Sequence, residues 1–124
     1  MGYIEHHGII FTSSSKCTRK AHKKAREIFK KYGLEGCITA KTKGETNDTM
    51  SFLIAPDGSK EGWDTSDNGD QARQEFIDWF EANRLKDDDD SELPDIDNWF
   101  YGDVVLVRFG GDEPEYCRIE YHSN

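Results

Sequence analysis

The chain has 124 residues, 35% of them hydrophobic and 33% charged, with a formal net charge of −9. That length fits one domain, with a compact core under a densely ionised surface. It excludes collagen, coiled coil, solenoid and disulfide scaffold for want of their periodicities or cysteine density. It also excludes a transmembrane helix, which needs about eighteen consecutive apolar residues.

The first sixteen residues, MGYIEHHGIIFTSSSK, carry no basic region ahead of their short apolar stretch. They do not read as a secretory signal, and a cytoplasmic location is expected. Cys17, Cys37 and Cys117 form no Cys-x-x-Cys pair, so neither a zinc knuckle nor a redox motif is expected, and the thiols should be reduced. Cys37 and Cys117 lie in alternating stretches and read as small core residues. The charge is uneven: residues 1–43 hold ten Lys and Arg against three Glu, and residues 44–124 hold six against 22 Asp and Glu. The ordinary outcome is that the two halves fold together and partly neutralise each other; the other is a bipolar molecule, which leaves a homo-oligomer open. Direct nucleic-acid binding is not expected at this acidity. An acidic surface that imitates nucleic acid toward a basic partner stays open.

In chain order, Tyr3 to Thr12 is β-branched and aromatic and predicts a first strand, and Ser13, Ser14 and Ser15 offer N-cap oxygens. From Lys16 to Tyr32, Cys17, Ala21, Ala25, Ile28, Phe29 and Tyr32 recur at steps of three and four and share one helix face. The other face is cationic, and Gly33 ends the helix with Leu34 folding back. Gly36 to Thr42 alternates as a second strand, and Thr49 to Ala55 is a third, apolar enough to lie centrally in a sheet. Pro56-Asp57-Gly58-Ser59 is a turn. A second helix is predicted over about Asp70 to Asn83, with Ala72, Phe76, Ile77, Trp79 and Phe80 as its apolar side, which Leu85 could close. Residues 86–97, with four consecutive aspartates, predict an extended acidic loop. Trp99 to Arg108 and Glu115 to Tyr121 form a hairpin around Gly110-Gly111-Asp112. The expected fold is a single α+β domain of order β-α-β-β-α-β-β, two helices packed on one face of a mainly antiparallel five-stranded sheet.

Asp64, Ser66, Asn68, Asp70 and Glu75 fall near calcium-loop spacing, with Gly69 at the sharp-turn position. Gln71 stands where an apolar residue belongs, no helix can enter through Pro56, Gly58 and Gly62, and there is one copy. The ordinary reading is an acidic approach to a helix capped by Asn68 or Asp70; no metal and no cofactor is expected. His6 and His7 point to opposite faces of a strand and cannot share a site. No nucleophile elbow, phosphate loop or metalloprotease helix is present, so a catalytic set is not expected. The basic face, through Lys16, Arg19, Lys20, Lys23 and Lys24, with His7 at a strand edge, is the candidate for an anion. It is lopsided, because Glu27 is the sole acid between Lys16 and Lys31 and like charges at i,i+4 repel. Fifteen aromatics are many for so polar a chain. Trp79 reads as core, whereas Trp63, Trp99, Phe100 and Tyr101 are interface candidates.

The stretch Ser51 to Phe80, SFLIAPDGSKEGWDTSDNGDQARQEFIDWF, resembles a segment of small proteins encoded by bacteriophages and prophages; His7-Gly8-Ile9-Ile10 before a helix and the closing Val-rich strand fit the same pattern. The resemblance carries no catalytic assignment. It implies an accessory protein in an infected bacterium that binds and modulates a host protein, defence systems included. On that expectation Trp63, Asp64, Asp67, Asp87, Asp88, Asp89 and Asp90 would contact the partner. The alternative is a binder of a small anionic ligand or nucleotide, followed by a phosphoester hydrolase.

Overall fold

The computed structural model describes residues 5–60, 62–84, 100–111 and 117–123. Strand β1 (His6–Ser14) leads into helix α1 (Ser15–Lys31), a short 3-10 turn (Glu35–Cys37), β2 (Thr42–Lys43), β3 (Thr49–Ile54), α2 (Asp64–Asn83), β4 (Asp103–Phe109) and β5 (Arg118–His122). The five strands form one sheet in the order β2-β3-β1-β4-β5, with every neighbouring pair antiparallel. This is the expected α+β arrangement. The centre of the sheet is β1, however, and β3 lies beside it. The expected acidic loop, Leu85, Trp99 and the hairpin tip at Asp112 lie outside the described residues.

The core forms where one face of the sheet meets both helices. Ile9 and Phe11 of β1 stand opposite Ile54 and Phe52 of β3 on one side and Leu106 and Val104 of β4 on the other. Helix α1 buries Cys17, Thr18, Ala21, Ala25, Ile28 and Phe29 against them, and α2 buries Ala72, Phe76, Ile77 and Phe80. Phe11 is at the middle, fully buried, stacked with Phe52 and Phe100 at 5.5 and 6.2 Å between ring centres and edge-on to Phe76 and Phe80 at 6.4 and 6.0 Å. Aromatic side chains supply most of the bulk of this core, in a chain with few Leu and Val. Trp79, partly buried, packs on Phe76 and Phe100 at the edge of the core, and Phe100 is buried, not an interface residue. Cys37 packs against the core, but Cys117 is exposed.

Helix α1 follows the pattern in detail. Ser14 accepts the Cys17 N–H through its hydroxyl at 3.3 Å, and Gly33, at φ +75°, lets the Leu34 N–H reach the Phe29 carbonyl at 2.8 Å. The predicted second strand is different. Residues 35–37 form the 3-10 turn, Ile38 makes a single bridge to Ile54, and regular pairing is limited to Thr42–Lys43. The Thr39 hydroxyl takes the Leu53 N–H at 2.9 Å, where a backbone carbonyl would sit in a ladder, so this edge is irregular.

Helix α2 starts at Asp64, six residues ahead of the expected position, with Trp63 at its N-cap and no capping side chain. Asn68 and Asp70 lie inside the helix and cap nothing. Every residue from Asp64 to Asp70 looks like a cap or a helix breaker in isolation, yet a tertiary contact holds them helical. The side chain of Arg73 reaches Asp57 Oδ2 at 3.5 Å and Asp70 Oδ1 at 2.7 Å, while Asp57 accepts the backbone N–H and the hydroxyl of Ser59. The Asp57 and Arg73 side chains are 7% and 5% exposed. Burial pushes the Asp57 pKa up, but the Ser59 donors and the Arg73 guanidinium outweigh it and hold the carboxyl below its ordinary value. Gly69 passes directly beneath this pair, where a β-carbon would overlap the Asp57 carboxylate. The Pro-Asp-Gly-Ser turn and the Gly-Asp-x-x-Arg segment are thus two halves of one structural clamp.

Candidate functional site

Three surfaces concentrate chemistry. The first is the sheet face turned away from the helices. Strand residues alternate between faces, so the register puts Ile10, Leu53, Val105, Val107, Phe109 and Ile119 on this side. Ile10, Leu53, Phe109 and Ile119 are 44%, 36%, 38% and 64% exposed. Among the polar residues of this face are Thr12 and Ser51, which share a 2.8 Å hydrogen bond, and His6, whose ring lies 5.3 Å from that of Phe109. Among the described strand residues of this face Asp103 is the one with a formal charge, in a chain that is one-third charged. A solvated face of an antiparallel sheet is normally polar. The sequence signal was present in the runs Ile9-Ile10, Phe52-Leu53-Ile54 and Val104 to Val107, which are apolar at both parities where a one-sided sheet should alternate.

The second surface is a cleft of about 520 Å³ between the start of α2 and the ends of β1, β4 and β5. His7 lines it with Glu120 3.3 Å from its Nδ1, Arg108 is hydrogen-bonded to Glu5, and Arg73 is held by its two aspartates. Arg73, Arg108 and Arg118 line it with Glu5, Asp70 and Glu120, so the cleft offers little net charge to an incoming anion. No α1 residue lines it. The structure therefore separates His7 from the basic helix with which it was expected to face an anion, while His6 and His7 do point to opposite faces.

The third surface is a groove of about 330 Å³ between α1 and the segment 35–41. Arg19 and Lys23 lie in it; Arg26 and Lys30 of the same basic helix face line it as well, and Lys41, which was not part of that face, joins them. Of the other expected cations, Lys16 is exposed at the first turn of α1, Lys20 sits 5.1 Å from the Phe100 ring centre, and Lys24 lies 3.9 Å from Glu27. Outside the groove, Lys31 of the basic half pairs with Glu75 of the acidic half: its Nζ lies 2.7 Å from both Glu75 oxygens, which raises the Lys31 pKa and lowers that of Glu75.

Trp63 is 52% exposed at the α2 N-terminus beside exposed Asp64 and Asp67, with Lys60 5.8 Å from its ring centre. Asp87, Asp88, Asp89 and Asp90 fall outside the described residues. The calcium-loop candidates Asp64, Ser66, Asn68, Asp70 and Glu75 all lie on α2, where a rise of about 1.5 Å per residue spreads them over about 16 Å, so they cannot converge on one ion. Among the described residues no group of three His, Cys, Asp or Glu side chains is placed to hold a metal. No helix among the described residues is long and apolar enough to cross a membrane. No protein-family model matches the chain, and no curated protein or solved structure is detectably similar to it.

Proposed function

We propose that this chain is a binding protein that docks a protein partner on its open sheet face. The observation that supports this reading is the uncovered, almost charge-free apolar surface of Ile10, Leu53, Val105, Val107, Phe109 and Ile119. Apolar patches of this kind mark interaction sites on soluble proteins. Four strands of five to nine residues and the two-residue β2, at about 3.3 Å per residue and about 4.8 Å apart, present a face of roughly 450 Å². That matches the apolar centre of a standard interface, which covers about 800 Å² per partner and leaves a polar rim to the surrounding loops. The complementary surface is mainly apolar, because a partner charge buried over Ile10, Leu53 and Val107 would find no counter-ion there. The phage resemblance makes a bacterial host protein the expected partner, and the exposed turn of Trp63, Asp64 and Asp67 a candidate part of its rim.

The test is affinity capture from nuclease-treated bacterial lysate with three baits: wild type, a Leu53→Glu/Ile119→Glu variant and an Asp64→Lys/Asp67→Lys variant, each first shown to be folded by circular dichroism. The reading expects one stoichiometric protein on the wild type, at least tenfold less on the sheet variant, and retention by the helix variant. Equal capture by all three, capture by none, or loss confined to the helix variant would each refute the sheet-face assignment. Sedimentation velocity adds the remaining outcome: a dimer dissociated by the sheet variant would make a second copy the partner, in place of a host protein.

A further inference from the structure

The groove on α1 is a separate site from the sheet face, and its charges are organised differently from the rest of the molecule. Arg19, Lys23, Arg26 and Lys30 recur at i, i+4, i+7 and i+11 and form one stripe about 16 Å long. Lys41 faces them from the opposite wall, and His22 Nε2, 2.9 Å from the Thr39 carbonyl oxygen, ties that wall to the helix. Two carboxylates reach the groove and both are engaged. Glu35 accepts from Arg26 Nε and Nη2 at 3.2 and 2.9 Å, and Glu27 is paired with Lys24. Arg19, Lys23, Lys30 and Lys41 have no ion-pair partner among the described residues.

In a chain with 25 acids and 16 Lys and Arg, carboxylates outnumber cations, yet four unpaired cations border one concavity. Like charges at helical i,i+4 spacing repel and weaken the helix unless an anion neutralises them. We propose that this groove binds a small ligand carrying two or more phosphate groups. A single phosphate would meet at most two of the cations, whereas a row about 16 Å long fits a chain of phosphates. Arg19 supplies a planar fork suited to two phosphate oxygens, and the lysines supply point charges along the row. The cavity volume is that of a small-molecule site.

The experiment is isothermal titration at 50 mM and 200 mM salt with inorganic tripolyphosphate, ATP and single-stranded oligonucleotide as separate probes. It uses wild type, Arg19→Gln/Lys23→Gln/Lys30→Gln, and a control Lys16→Gln/Lys43→Gln that changes two cations which do not line the groove. Saturable one-to-one binding of tripolyphosphate is expected, weakened at least tenfold by the groove variant and less than threefold by the control. ATP binding like tripolyphosphate would identify the phosphate chain as the recognised group; tighter binding of ATP would make a nucleotide the ligand. Absence of tripolyphosphate and ATP binding at 50 mM salt would overturn the proposal. So would equal weakening by both variants, or binding of the oligonucleotide alone, which would replace a small-ligand groove with a polyanion surface.

Discussion

Substituting Gly69 by alanine tests the buried clamp, because two opposing effects set its sign. Within a helix, alanine is favoured over glycine by about 1 kcal/mol. Here the new β-carbon would overlap Asp57 Oδ2 and come within 3.1 and 3.2 Å of the Arg73 Nη1 and Nη2 atoms. The flexible end of Arg73 can yield by tenths of an ångström. Asp57 can yield only by leaving Arg73, which is 4% exposed and would then be buried with one counter-ion fewer. Disrupting a buried pair costs about 3–5 kcal/mol, and Asp70 retains part of the interaction, so the cost lies at the lower end. After the helix gain, Gly69→Ala should lose about 2 kcal/mol, a fall in Tm of roughly 8 °C for a domain of this size. Urea unfolding followed by circular dichroism measures it, with Gly36→Ala as a control, since a β-carbon there meets nothing within 4 Å. A Gly69→Ala protein more stable than wild type by about 1 kcal/mol would show that helix propensity alone governs the site and that the clamp is loose.

Asp57→Asn addresses the same clamp through pH. Because the folded carboxyl is held below its ordinary value of 3.8, its contribution is present above that value and is lost as pH falls through the folded pKa. Wild-type stability should therefore fall below about pH 4 more steeply than that of Asp57→Asn, as read from urea midpoints between pH 2 and 7; parallel profiles would remove Asp57 from the account. Phe11→Ala should cost about 4 kcal/mol, because Phe11 is fully buried and contacts four other rings. A loss under about 1.5 kcal/mol in urea unfolding would mean a loosely packed aromatic centre.

What could be read from the sequence was what local chemistry decides. Helix α1 has strict apolar spacing, a serine cap and a glycine stop, and it forms where those signals place it. The closing hairpin and the β-α-β-β-α-β-β order follow from similar local patterns. The start of α2 was hidden because Asp64 to Asp70 carry several competing cap signals, and the contact that selects among them spans sixteen residues, from Asp57 to Arg73. Gly36 to Thr42 alternates like a strand, but the Thr39 side chain takes the Leu53 N–H in place of a backbone carbonyl, and pairing is broken between the Ile38 bridge and Thr42. The candidate surfaces divide in the same way. The cationic stripe was visible in the helix, although its far wall at Lys41 depends on the 3-10 turn. The sheet face needed the position of β1: only once it is central do Ile10, Leu53 and Val107 become one patch.

The central claim is that a protein partner covers that patch. Hydroxyl-radical footprinting, read by mass spectrometry with the chain alone and in complex with its captured partner, tests it directly. The account predicts strong protection of Leu53, Phe109 and Ile119 on complex formation, with Tyr32 and Trp79 on the helical side unchanged. Undiminished labelling of those three side chains in the complex, with protection confined to Trp63 or to α1, would contradict it.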